Sequence, residues 1–151
     1  MTLLVSVADR DDLEDLVRLR SRLFPEMSDA EQEAELEEFL PGPNYRFWLA
    51  RLDGRTVGYA EASLRPYANG CDSRPVPFLE GVWVDPTCRS RHIGQALVAA
   101  IEAWAIERGF HELGSDVDIS NLISQAAHQA WGFEERETVV YYRRLLSPKS
   151  E

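Results

Sequence analysis

The sequence is poor in cysteine. Cys71 and Cys88 are its only two in 151 residues, and they share neither a metal-ligand spacing nor a CxxC pattern. A disulfide framework is therefore not expected, and both thiols are read as reduced. His92, His111 and His128 are too scattered to suggest a metal centre. Basic residues are also scarce: 16 Lys and Arg stand against 26 Asp and Glu, a formal net charge of −10. That argues against a nucleic-acid surface and favours solubility and cationic partners. No apolar run approaches the ~20 residues that span a bilayer. The N-terminus lacks the basic and apolar regions of a signal peptide, so a cytoplasmic location is expected. Repeats, low-complexity tracts and interdomain linkers are absent, which predicts one domain over residues 1–151.

What is present is a regular alternation of strand and helix patterns. Leu3 to Val7 reads as a strand. Asp9 is placed to cap a helix with Leu13, Leu16, Val17, Leu19, Arg20 and Leu23 on one face, ended by Pro25. Ser28-Asp29-Ala30-Glu31 has the capping-box form and starts a second helix to about Leu40. Arg46 to Leu52 and Thr56 to Leu64 flank Asp53-Gly54, a hairpin signal. Arg65 to Val76 reads as a loop and Pro77 to Val84 as a strand. A helix from Ile93 to Arg108, a strand from His111 to Asp116 and a helix from Ser120 to Ala130 follow. Thr138 to Leu146, rich in Val, Tyr and Leu, is expected to be a last strand. The predicted order is β-α-α-β-β-β-α-β-α-β, an α/β (α+β) mixed central sheet flanked by helices.

The most informative stretch runs from Phe78 to Leu97: an apolar strand carrying Glu80, a basic loop, then a helix. Basic and small residues at a helix N-terminus hold a pyrophosphate through backbone N–H groups and the helix dipole. By simple alternation, Glu80 and Val82 lie on one face and Leu79, Gly81 and Trp83 on the other. Glu80 is then either an outward-facing surface acid or a proton acceptor beside a ligand. Asp116 ends a strand, where ligands bind in α/β sheets, or caps the next helix.

This order, with its loop Arg89-Ser90-Arg91-His92-Ile93-Gly94, resembles the GCN5-related N-acetyltransferase superfamily over nearly the whole chain. In that superfamily the loop has the form Arg/Gln-x-x-Gly-x-Gly/Ala, so His92 stands where a glycine is usual. Asn121, Ser124, His128, Gly132 and Phe133 are similar to a second segment of the superfamily, with His128 at a position often held by tyrosine. Tyr67-Ala68-Asn69-Gly70-Cys71-Asp72-Ser73, Phe78-Leu79-Glu80-Gly81, Leu113-Gly114-Ser115-Asp116 and Val139-Val140-Tyr141-Tyr142-Arg143 look more narrowly like the bacterial aminoglycoside 6'-N-acetyltransferases.

The resemblance implies acetyl-CoA as co-substrate, no metal, an aminoglycoside acceptor and a homodimer. It places coenzyme A against the backbone of Val82, Trp83 and Val84, the loop Arg89, Ser90, Arg91, His92, Ile93, Gly94 and Gln95, and Asn121 and His128. It places the drug among Phe24, Met27, Tyr67, Glu80, Asp116 and Glu137. Glu80 is the candidate base, because a primary amine with a pKa near ~10 arrives protonated. Tyr142 is the candidate acid for the leaving thiolate, with His128 as a second. A polyamine or protein amine as acceptor, or a silent acetyl-CoA-binding module, are the competing readings. No membrane or nucleic-acid partner is expected.

Overall fold

In the computed structural model, which describes residues 1–89 and 92–148, Leu3–Val7 forms β1. The Asp9 carboxylate accepts the Asp11 N–H, and Asp12 returns a bond to the Asp9 N–H, closing a 3-10 turn at Arg10–Asp12. That turn runs into α1, Leu13–Leu23. Ser28 Oγ accepts the Glu31 N–H at 3.1 Å and starts α2, Asp29–Phe39. β2 (Tyr45–Leu52) and β3 (Arg55–Arg65) are joined through Asp53 and Gly54. Their φ values of 51° and 83° are the left-handed pair that a tight hairpin needs. The remaining elements are β4 (Val76–Val84), α3 (Ile93–Glu107), β5 (Gly114–Ser115) and α4 (Leu122–Ala130).

The strands lie in chain order, β1-β2-β3-β4-β5. The first four pair antiparallel, and β5 runs parallel to β4. One sheet face buries Leu49, Phe47 and Tyr59 against Leu16 and Leu19 of α1 and Leu36 of α2. The other buries Trp48, Ala50, Ala60, Ala62 and Leu79 against Ile93, Leu97, Ile101 and Trp104 of α3. Each fully buried Leu or Ile contributes about 1.5–3 kcal/mol, so the two helical layers are held by the sheet between them.

Two irregularities shape the site. Glu61 faces Gly81 across the ladder while Ala62 faces Leu79, so Glu80 is the extra residue of a β-bulge. In addition, β4 and β5 pair only through Phe78 with Gly114 and Leu79 with Ser115. Past Leu79 the two strands part, and residues 81–84 keep a partner on the β3 side alone.

The expected strand from His111 to Asp116 shrinks to Gly114–Ser115. The expected last strand does not form: residues 133–148 take no regular structure, and Val140, Tyr141, Tyr142, Leu145 and Leu146 are 70–91% exposed. Strand-type composition needs a ladder partner, and a two-residue β5 offers almost none.

Candidate active site

The bulge overturns the simple alternation. Glu61 and Ser63 of β3 point to the α1–α2 face, where Glu61 meets Arg20. Gly81, opposite Glu61, lies on that face as well: a Cβ there would stand 2.5 Å from Leu23 Cδ2 and 3.7 Å from Phe24 Cζ. Glu80 accepts a hydrogen bond from Ser63 Oγ at 2.8 Å, so it shares the α1–α2 face with Gly81. Glu80 therefore parts from Val82, which packs toward α3.

Glu80 is not a free carboxylate. Arg65 Nε donates to Oε1 at 2.7 Å and Nη2 to Oε2 at 2.8 Å, a two-pronged fork. The Arg65 Cζ lies 3.6 Å from the centre of the buried Phe78 ring. Side-chain exposure is 21% for Glu80 and 38% for Arg65, so the pair opens to solvent at one side. The Glu80 hydrogen bond, opposed by burial and aided by the charges of Glu80 and Asp116, holds Arg65 above the ordinary arginine value.

A second pair lies deeper on the same face. Arg20 Nε donates to Glu61 Oε1 at 2.8 Å, Nη1 to Gln32 Oε1 at 2.7 Å, and Nη2 to Glu35 Oε1 at 2.8 Å. The Tyr59 hydroxyl also donates to Glu61. Gln32 Nε2 in turn donates to the Phe24 carbonyl at 3.1 Å, fixing the end of α1 beside Gly81. Burial alone would lower the Arg20 value, but the hydrogen bond and charge of Glu61 and the bond to Glu35 raise it. Burial also pushes the Tyr59 hydroxyl up, with Glu61 adding to the shift. Arg20 therefore stays charged and Tyr59 stays neutral.

The fork between β4 and β5 exposes backbone. The Asp85 N–H donates to Val57 O at 2.8 Å. Groups alternate along an antiparallel strand, so the N–H and C=O of Val84 and of Val82 face the fork. The Val84 carbonyl there accepts from Arg89 Nε at 3.2 Å. Trp83, between them, is half-buried against the α1 side. His92 precedes α3 with φ 59° and ψ 24°, the left-handed conformation that a glycine adopts without strain. Ile93 is buried and Gln95 exposed in the first turn of α3. Gly94 admits the ring of Trp131: a Cβ there would stand 2.9 Å from Trp131 Cζ2. A side chain at position 94 thus disturbs packing as well as any ligand. Ser90 and Arg91 lie outside the described residues. The free edge at Val84 and the amino end of α3 fit a ligand with amides and a pyrophosphate.

On the far side of the fork, Asn121 caps α4 by accepting the Ser124 N–H at 3.0 Å. His128 Nε2 is 2.7 Å from Ser115 Oγ, and Nδ1 is 2.8 Å from Ser124 O. Both ring nitrogens are engaged, which makes His128 a strut between α4 and β5. Asp116 is exposed just beyond β5, near enough to act on Arg65 by its charge. Met27 is half-buried, its N–H donating to Phe24 O at 3.3 Å.

Phe24, Glu80 and Asp116 are thus gathered at one end of the sheet. Tyr67 is 63% exposed, with Arg74 Cζ 5.7 Å from its ring. Glu137 is exposed and Tyr142 is 91% exposed on the segment without regular structure; among the described residues neither bonds to the Glu80 cluster. Sequence reasoning missed Arg65, Ser63 and Arg20. Their signals were an alternating Glu61, Ser63, Arg65 on one strand face, and an arginine within the apolar stripe of α1.

The sheet splits beside an open backbone edge, with an acid at a bulge next to the split. The acetyltransferase (GNAT) family model matches residues 13–133, and the chain belongs to that family. Within it, the aminoglycoside N(6')-acetyltransferase type 1 of Serratia marcescens is 42% identical over 145 residues, 95% of this chain and 99% of that one. The enzyme of the same name from Salmonella typhimurium is 44% identical over 127 residues, 83% of this chain and 88% of that one. The solved structure of AAC(6')-Iy with the bisubstrate analogue CoA-S-monomethyl-acetylneamine superposes with a TM-score of 0.92 at 39% identity. It covers 97% of this chain and 100% of that one.

Proposed function

We propose that this protein transfers acetyl from acetyl-CoA to the 6'-amino group of aminoglycosides, in the cytoplasm, as one domain over residues 1–151. The observation that carries the reading is Glu80, an acid lifted by a bulge onto the α1–α2 face beside an open β4 edge. Similarity to the named relatives supports the acceptor class. Acetyl-CoA supplies the activated acyl group. Val82, Trp83 and Val84 offer backbone along the fork, and the Val84 N–H is aimed where a thioester carbonyl is polarised. Arg89, Ser90, Arg91, His92, Ile93, Gly94 and Gln95 take the pyrophosphate end, with Asn121 and His128 across the fork. Phe24, Met27, Tyr67, Asp116 and Glu137 receive the polycationic drug.

Glu80 takes one proton from the substrate ammonium, directly or through water. The amine then forms the C–N bond as the C–S bond breaks, and the second proton, shed by the new amide nitrogen, returns to the acid that has protonated the thiolate. Tyr142 is the donor to the thiolate in this reading. That role requires residues 138–146 to become a strand. A second copy of the chain would supply the partner: Val139, Val140, Tyr141, Tyr142, Leu145 and Leu146 form a strand-patterned apolar run exposed to solvent. A homodimer is therefore part of the proposal.

The test is thiol release from acetyl-CoA with kanamycin, spermine and a peptide as parallel acceptors. Kanamycin alone should be turned over, and drugs with a 6'-hydroxyl should not be acetylated there. Preference for spermine or the peptide would overturn the drug assignment. Acetyl-CoA binding with no turnover would make the protein a silent binding module.

A further inference from the structure

Resting on that assignment, we infer that Arg65, with Ser63, is the positioning residue that presents Glu80 to the acceptor through a single lone pair of Oε2. A carboxylate offers about four acceptor sites, two on each oxygen. Oε1 uses both, on Arg65 Nε at 2.7 Å and Ser63 Oγ at 2.8 Å. Oε2 uses one, on Arg65 Nη2 at 2.8 Å. What remains for an ammonium proton or a bridging water is the second site of Oε2.

The holders are themselves held. Ser63 is 3% exposed and Phe78 2% exposed. The Arg65 guanidinium rests face-on against that ring while its edge grips the carboxylate. Arg65 and Glu80 both keep a side toward solvent, while Ser63 and Phe78 beneath them do not. A bulge gives a side chain its direction but leaves its last torsion loose, and the fork fixes that torsion. Arg65 therefore does more than neutralise an acid. A lysine would keep the charge but lose the fork and the planar stack.

The experiment compares Arg65→Gln, Arg65→Lys and Ser63→Ala with the parent, using kanamycin and acetyl-CoA at saturation. Misplacing a reacting group by ~1 Å can cost about 10²-fold, so kcat should fall at least about tenfold in both Arg65 variants. KM for kanamycin should change much less, and Ser63→Ala should lose only severalfold in kcat. Acetyl-CoA affinity by calorimetry should stay at the parent value, which separates the effect from misfolding. Full activity in Arg65→Lys would overturn the inference, because charge alone would then suffice.

A second readout needs no turnover. In protein labelled with ¹⁵N-arginine, the protected Nε–H signal of Arg65 should vanish in Glu80→Ala, which removes the acceptor outright, and persist when kanamycin saturates the parent. Loss of that signal on adding kanamycin would also overturn the inference, since the drug would be displacing the fork. Should the parent acetylate none of the three acceptors, the assigned reaction fails. The signal then still decides: loss in Glu80→Ala supports the pairing and persistence contradicts it.

Discussion

Arg20–Glu61 and Arg65–Glu80 are two arginine–glutamate pairs on one face of one sheet, made of the same groups at similar distances. Their surroundings divide them. In the inner pair both side chains are nearly inaccessible, at 5% and 3% exposure, and Gln32, Glu35 and Tyr59 occupy the other positions around them. In the outer pair one oxygen of Glu80 keeps an open side. A closed pair can only hold parts together, here α1, α2 and β3. An open pair can exchange a proton with something that arrives. Under the proposed function, depth and the count of satisfied sites, rather than residue type, separate the structural pair from the reactive one.

The largest effect that sharpens this contrast is on stability. Glu61→Ala takes the acceptor from Arg20 Nε and the Tyr59 hydroxyl in the interior and leaves the half-buried Glu35 as the counter-charge of Arg20. Breaking one side of a buried pair costs about 3–5 kcal/mol. The urea midpoint should fall accordingly. Gly81→Ala comes next. Its Cβ would collide with Leu23 beside the bulge, an overpacking worth about 1–3 kcal/mol by thermal unfolding. Arg65→Gln should move stability by less than about 1 kcal/mol, because a half-exposed pair contributes little. A larger loss would make the outer pair as structural as the inner one.

The smallest effect is one of pH. Glu112 accepts N–H bonds from Ser73 at 2.7 Å and Asp72 at 3.0 Å, and these hold its carboxyl below the usual range. Its folded value lies under the unfolded one, near ~4.3, so its contribution is full above that pH. It disappears as pH falls through the folded value. Glu112→Gln should flatten the stability–pH slope in that acid window alone, as read by denaturant titration at several pH values.

Local signals were legible in the sequence. The Asp53-Gly54 turn, the Ser28 cap, the Pro25 stop and the helix from Ile93 all stand where side chains close at hand dictate them. The bulge was not legible, because an extra residue in one strand is defined only by the partner it slips against, and so Glu80 changed face. Arg65 was read as the start of a loop, yet β3 runs through it. Its partner, fifteen positions away, is joined only by the register of the ladder. Thr138 to Leu146 has the composition of a strand but no neighbour among the described residues to pair with. The sequence reading singled out Glu80, Phe24 and the backbone at Val84; the bulge, the Arg65 clasp and the parting of β4 from β5 around them appear only once the strands are paired.

The contrast between the two pairs turns on Glu80. The direct measurement is kcat of Glu80→Gln at saturating kanamycin and acetyl-CoA, on protein whose thermal midpoint matches the parent. The amide keeps the shape but cannot take a proton, so kcat should fall ~10²–10⁴-fold. Turnover near the parent rate would make the outer pair a structural clasp like the inner one, and the ammonium proton would leave by another route.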